Sequence, residues 1–389
     1  MTQTLLVIAG EDSGDLHGAE LLRELKARRP DLRIIGVGGP RMAPFLDRKL
    51  ADVKDLAVVG FIEVIKHLPR LNRLFKQILA AARDERITAA LLIDYPGFNL
   101  RLARAVRRQM PAVKIHQYVC PQVWAWKKGR IPELGTLLDT LYCLFDFEPE
   151  LFAGYSVDAR FVGHPLVEVV KPECDRGTFF RESGLDPARP LVALLPGSRK
   201  GEIERLLPPM AELASRWRQE RPAVQWVLPV APTLEPAFVR AHLGSAPVTL
   251  VQDRTYAARA YADAALVASG TATLETALLG TPFAIVYKLN ALTYQVARRI
   301  VKVPHFGLAN VVARREVAPE LLQDEVNAER LGLELSRLLE PGTARHLRAE
   351  LGEVRGHLGE PGAAGRVAED LLGKLGALSD PSPMMRHQP

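Results

Sequence analysis

Three groups of residues in this chain have the types and spacing for chemistry. Asp94 ends an apolar run, Ala89–Ile93, and leads into Tyr95-Pro96-Gly97-Phe98-Asn99. A carboxylate there stands where open α/β sheets gather their ligands and can act as a general base; it can equally cap the turn. Pro196-Gly197-Ser198-Arg199-Lys200-Gly201-Glu202 is a basic, glycine-containing strand-to-helix turn suited to phosphate. Ser269-Gly270-Thr271 follows the apolar run Ala264–Ala268 and opens a helix over 272–279, stopped by Gly280 and Pro282. That geometry aims backbone N–H groups and the positive helix end at an anion. Glu275, one turn in, is placed for sugar hydroxyls beside a phosphate, or is simply an acidic first-turn residue.

Other stretches are chemically suggestive. Gly10-Glu11-Asp12-Ser13-Gly14-Asp15 after strand 5–9 carries three acidic groups, which repel a pyrophosphate. It reads as a polar floor for sugar hydroxyls, or as helix capping by Ser13 or Asp15. Residues 58–68 hold too many apolar side chains for one helical face, and Lys66, His67, Arg70 and Arg73 surround their end. They form core, or an apolar lip that meets lipid. Trp124 and Trp126 sit beside Lys127, Lys128 and Arg130; His164, between Gly163 and Pro165, is a base or a turn residue.

The elements that must position these groups alternate strand, turn and helix twice. Strands are expected at 5–9, 33–37, 89–93, 114–119, 140–144 and 159–162, then, after a polar connection over 166–186, at 191–195, 224–229, 248–251, 264–268 and 283–286. A helix is expected near 293–301, a loop at 305–310 able to close over a base or pyrophosphate, and amphipathic helices at 328–339, 344–358 and 362–375. The 389 residues suit two domains. No apolar run approaches the ~20 residues of a spanning helix, and the first residues lack an export-signal pattern. Three cysteines, Cys120, Cys143 and Cys174, have no metal or redox spacing and suit a reducing cytoplasm. The net charge of +6 suits an anionic partner, but no basic block interleaved with aromatics points to nucleic acid. The first turn lacks the Gly-x-Gly-x-x-Gly signature of a nicotinamide enzyme.

Taken together, the stretches resemble the lipid-A-disaccharide synthase family, membrane-associated glycosyltransferases of GT-B architecture. The resemblance rests on Ala9-Gly10-Glu11 with Ser13-Gly14-Asp15, Gly38-Gly39-Pro40-Arg41-Met42, Val59-Gly60-Phe61-Ile62-Glu63-Val64, and Ile93-Asp94 with Phe98-Asn99. It continues through Val123-Trp124-Ala125-Trp126, Phe161-Val162-Gly163-His164-Pro165, Leu194-Leu195-Pro196-Gly197-Ser198-Arg199, Ala268-Ser269-Gly270-Thr271-Ala272 with Leu274-Glu275, and Leu308 with Asn310. Departures are Asp12 for a small residue, Cys120-Pro121-Gln122 for Ser-Pro-Ser, and Tyr95-Pro96-Gly97 for Ala-Pro-Asp.

The resemblance implies an α/β fold of two Rossmann-like domains facing a cleft, with C-terminal helices packing back toward the N-terminal domain. The divisions expected are 1–166 (acceptor and lipid), 167–343 (UDP-sugar), 344–376 (helices) and 377–389 (disordered tail). It implies inverting transfer from UDP-2,3-diacylglucosamine to 2,3-diacylglucosamine 1-phosphate, giving a β-1,6 disaccharide 1-phosphate and UDP. Asp94 would be the base, with Glu11 and Ser13 facing the reacting sugars. Arg199, Ser198, Gly197, Ser269, Gly270, Thr271, Glu275 and Asn310 would bind the UDP-sugar, and Val58, Val59, Phe61, Ile62, Ile65 and Leu68 would contact acyl chains or membrane. No cofactor or metal is expected. The partners implied are the UDP-sugar donor, the acylated glucosamine phosphate acceptor, the inner membrane surface from its cytoplasmic side and, since family members can exchange C-terminal segments, a second copy. The rival readings are a related GT-B UDP-GlcNAc transferase or epimerase, and an inactive UDP-sugar- or lipid-binding protein.

Overall fold

The computed structural model describes residues 3–56, 61–126, 128–290 and 304–377. The chain forms two compact units, one of Met1–Pro165 with Glu360–Pro389 and one of Leu166–Gly359. Each is built on a wholly parallel sheet whose central strands are short apolar runs buried on both faces.

In the first unit the strands are β1 (Thr4–Ala9), β2 (Arg33–Val37), β3 (Arg48–Ala51), β4 (Ala89–Ile93), β5 (Lys114–Tyr118), β6 (Thr140–Cys143) and β7 (Asp158–Phe161). Their order is β3-β2-β1-β4-β5-β6-β7. β1 pairs with β4 from Leu5↔Ala89 to Ala9↔Ile93, so Gly10 and Asp94 leave the sheet side by side. β5 stops at Tyr118, one residue before the expected end, because Val119 turns to φ 70°. β3 was not expected: two of its four residues, Arg48 and Lys49, are exposed and charged, as befits an edge strand.

The second unit holds β8 (Leu191–Leu195), β9 (Gln225–Pro229), β10 (Val248–Val251), β11 (Ala264–Ala268), β12 (Phe283–Tyr287) and β13 (Glu320–Leu322), ordered β10-β9-β8-β11-β12-β13. The three-residue β13 was also unexpected. The helix Lys200–Glu220 lays Ile203, Leu207, Met210 and Trp217 on this sheet's core.

The C-terminal helices divide between the units. Pro341–His357 belongs to the second, whose core includes Leu347. Ala363–Ala377 belongs to the first, where Val367, Leu371 and Leu375 share a core with Leu21, Leu22 and Leu25 of the helix Asp12–Arg28. It is fixed by Lys374 Nζ donating to Thr140 Oγ1 and Asp158 Oδ2, both at 2.8 Å, and by Tyr142 OH donating to Asp370 at 2.8 Å.

Val58 and Val59 lie outside the described residues. Phe61, Ile62, Ile65 and Leu68 begin the helix Phe61–Asp84, but their side chains also lie outside the description. So do the helix expected near 293–301 and residues 378–389. Among the described residues no helix is long and apolar enough to cross a membrane.

Candidate active site

Each sheet reverses its winding once, and the candidate residues gather at those two points. In the first unit the reversal lies between β1 and β4, the crevice where open α/β sheets take ligands. Glu11, Asp12 and Ser13 follow β1 and are exposed, and Asp94 leaves β4 beside them. Gly10 is required by packing: a Cβ there would lie 2.2 Å from the Tyr95 ring.

Asp94 and Tyr95 both have φ 47°, a left-handed backbone that costs a non-glycine residue about 1–3 kcal/mol. Burial pushes the Asp94 carboxyl above its ordinary range, against the Tyr95 N–H, which favours the carboxylate. Tyr95 anchors the turn by donating its hydroxyl to the Leu56 carbonyl at 2.8 Å. A carboxyl held proton-hungry by burial is suited to take a proton from a hydroxyl.

The expected cap of the first helix is corrected. Glu11 is the N-cap residue, without a side-chain cap bond. Asp15 is instead fully buried and accepts the N–H groups of Gly39 (2.6 Å), Arg41 (3.0 Å) and Met42 (3.1 Å). One carboxylate thus joins the Gly10–Asp15 and Gly38–Met42 stretches.

In the second unit the reversal lies between β8 and β11. A cavity of about 740 Å³ opens there, lined by Gly197, Ser198, Arg199, Ser269, Gly270, Thr271 and Glu275 among others. Gly197 needs its φ of 113°, and a Cβ on it would strike Glu202. Glu202 Oε2 already accepts the N–H groups of Ser198 (2.9 Å) and Arg199 (3.2 Å). The turn is therefore self-capped, and its contribution to an anion is the Arg199 side chain, 85% exposed. The Thr271–Leu278 helix has no such cap: Gly270 precedes it at φ 144° without a side-chain hydrogen bond. Its amide end is the better anion seat.

Glu275 is not free. It forms an ion pair with the buried Arg259, and Tyr256 OH reaches its other oxygen at 3.5 Å. Burial and the Glu275 charge push the Tyr256 phenol up to about 12. Glu173 accepts the N–H groups of Tyr256 (2.9 Å) and Ala257 (2.8 Å), bracing the helix Thr255–Ala260. Ser269 donates its hydroxyl to the Phe306 carbonyl at 2.7 Å. Asn310 is fully buried and is not on the cavity wall. Its amide donates to Ala318 O (2.7 Å) and Glu320 (2.8 Å) and accepts from the Val317 and Ala318 N–H groups (2.9 Å each). The loop expected over 305–310 is corrected: from Leu308 it is helix, Leu308–Ala313, and Asn310 ties that helix to residues 317–320.

Elsewhere Trp124 is buried and donates its indole N–H to Glu148 at 3.1 Å. Glu148 also accepts from the Leu144 and Phe145 amides and is pushed up to about 7 by burial. Cys120 and Cys143, distant in sequence, meet it: the three ligand atoms lie within 4.8 Å of one another. His164 is buried against Phe145 and held neutral, with its pKa down to about 3. Sequence reasoning missed Arg259, Tyr256 and Glu173. The one available signal was the i,i+3 spacing of Tyr256 and Arg259, which puts both on one helical face.

Solved structures share this architecture at low identity. A UDP-GlcNAc 2-epimerase from Neisseria meningitidis, bound to UDP-GlcNAc, superposes with a TM-score of 0.60 at 11% identity, covering 96% of this chain and 100% of that one. The calicheamicin glycosyltransferase CalG4 does so at 0.60 and 16%, covering 97% and 100%. Two parallel-sheet α/β units, each with its candidate residues at the winding reversal, define the GT-B class of fold. A family model described as lipid-A-disaccharide synthetase matches residues 5–356. The lipid-A-disaccharide synthase of Anaeromyxobacter dehalogenans (strain 2CP-C) is 44% identical over 380 residues, 96% of this chain and 98% of its own length. That of Myxococcus xanthus (strain DK1622) is 44% identical over 372 residues, 95% and 96%. The chain belongs to the lipid-A-disaccharide synthase family.

Proposed function

We propose that this chain joins UDP-2,3-diacylglucosamine to 2,3-diacylglucosamine 1-phosphate, with inversion, and releases UDP. The observation that carries the reading is the division of charge between the two winding reversals. Exposed acidic and hydroxyl groups with the half-buried Asp94 mark one, and an uncapped helix end with the exposed Arg199 marks the other.

In this reading Asp94 takes the proton of the acceptor 6-hydroxyl as its oxygen attacks the donor's anomeric carbon. Glu11 and Ser13 hydrogen-bond the sugars. The departing diphosphate is stabilised by Arg199 and the N–H groups opening the Thr271 helix, with Gly197, Ser198, Ser269 and Gly270 shaping its seat. Glu275, held by Arg259, accepts the ribose hydroxyls. Asn310 supports the seat from behind. Val58, Val59, Phe61, Ile62, Ile65 and Leu68 meet acyl chains at a membrane surface.

The test is UDP release from UDP-2,3-diacylglucosamine in detergent, with and without acceptor. Acceptor-dependent release that drops about 10²-fold in Asp94→Asn is expected. Release independent of acceptor, or unchanged in the variant, sinks the transfer or the base respectively.

A further inference from the structure

We propose that Gln117 and Asn99 form an amide clamp that holds Asp94 in its left-handed backbone conformation, making both positioning residues for the reaction. The inference rests on the reading of Asp94 as the base and assigns how its geometry is kept.

Three non-glycine residues lie in the left-handed region where β4 and β5 end: Asp94 and Tyr95 at φ 47° and Val119 at φ 70°. For Val119 the conformation is especially unfavourable, because its branched Cβ crowds the carbonyl. Such a cluster persists only where surrounding contacts over-determine it. The contacts are two buried side-chain amides. Gln117, 2% exposed, puts Nε2 within 3.2 Å of Asp94 O, 3.3 Å of Val119 O and 3.4 Å of Tyr118 O. Asn99, fully buried, donates Nδ2 to Asp94 O at 2.7 Å and to Ile93 O at 3.2 Å.

The Asp94 carbonyl therefore receives two side-chain donors, one from each flank. Its N–H is also taken, donating to Tyr118 O at 3.0 Å. Both peptide groups beside the Asp94 Cα are held, so the direction of its Cα–Cβ bond is set before any substrate arrives. Gln117 bridges the two strained strand ends with one nitrogen; Asn99 ties the first to the start of the Pro96–Gln109 helix. Among the described residues, every hydrogen bond these nitrogens donate ends on a carbonyl of the two strand ends. Without the clamp the turn relaxes toward ordinary backbone angles and the carboxyl swings toward water.

The test uses the full chain with Gln117→Met, which keeps length and volume, and Asn99→Ser, each alone and combined with Asp94→Asn. Thermal unfolding confirms that each folds. The expected result is a kcat about 30-fold lower for Gln117→Met with both KM values within threefold. In the Asp94→Asn background the same change costs less than threefold, because residues acting through one group are not additive. An equal loss in both backgrounds, or an unchanged kcat, overturns the clamp. A second readout needs no turnover: the Asp94 carboxyl carbon, assigned by its absence in Asp94→Asn, titrates at lower pH in Gln117→Met than in wild type. Glu11 and Tyr95, which face this corner, stay in place in all variants. Wild type that turns over nothing sinks the proposed reaction, while an unmoved titration sinks the clamp. Should Gln117→Met fail to fold, Asn99→Ser carries the same two comparisons.

Discussion

Arg259 and Glu275 form an ion pair on the wall of the large cavity, with side chains only 8% and 18% exposed. Removing one partner of a buried pair leaves a charge without compensation and costs about 3–5 kcal/mol. Arg259→Leu is therefore expected to lower stability by ~3 kcal/mol and to raise the donor KM, since Glu275 loses its orientation. Adding Glu275→Gln should recover much of the stability without recovering the donor KM. Denaturant unfolding with donor kinetics on the single and double variants checks this. Recovery of both together would mean that the pair does not touch the donor.

Arg199 and Glu202 make opposite expectations on one turn. Arg199 is almost wholly exposed, so Arg199→Ala should leave the unfolding midpoint unchanged while raising donor KM about 30-fold, the scale of a charge-assisted contact to phosphate. Glu202 satisfies the turn's own amides, so Glu202→Ala should lower stability by ~1 kcal/mol, as a lost helix cap does. It should not raise donor KM, because a carboxylate is removed from beside the diphosphate. Thermal scans and donor titrations of the two proteins separate these roles.

The sequence made the strand ends legible because buried parallel strands are uninterrupted apolar runs, as in Ala89–Ile93 and Ala264–Ala268. Asp94 and Ser269 could be placed as the residues that end them. β3 escaped because half of it is exposed arginine and lysine, and β13 because three residues carry no period. Arg259 and Glu173 reach the cavity from separate segments, a coincidence that only the fold creates. Asn310 carries the opposite lesson: its motif was visible, but its four hydrogen bonds to residues 317–320 were not. The same holds for Cys120 and Cys143, whose spacing suggests nothing until adjoining strands bring them to Glu148.

Asp94 should cost the protein stability at the pH where it works. Its carboxyl is raised above its ordinary value of 3.8 by burial, so the folded state favours the protonated form. Below that value the group is protonated in both folded and unfolded chains, and its contribution is fully present. As pH rises through the folded value, the half-buried carboxyl must ionise, and that contribution is lost. Asparagine mimics the protonated carboxyl without ionising. Asp94→Asn is therefore expected to be more stable than wild type at pH 8, with the difference shrinking toward pH 3.5, while activity drops about 10²-fold. Glu148, pushed from 4.5 up to about 7 by burial, imposes its own decline between those two pH values on both proteins. Only the difference between them reports Asp94. Denaturant midpoints from pH 3.5 to 8.5 measure it. A variant less stable than wild type at pH 8 would mean that the carboxylate is favourably held in the folded state, and would remove burial as the source of its basicity.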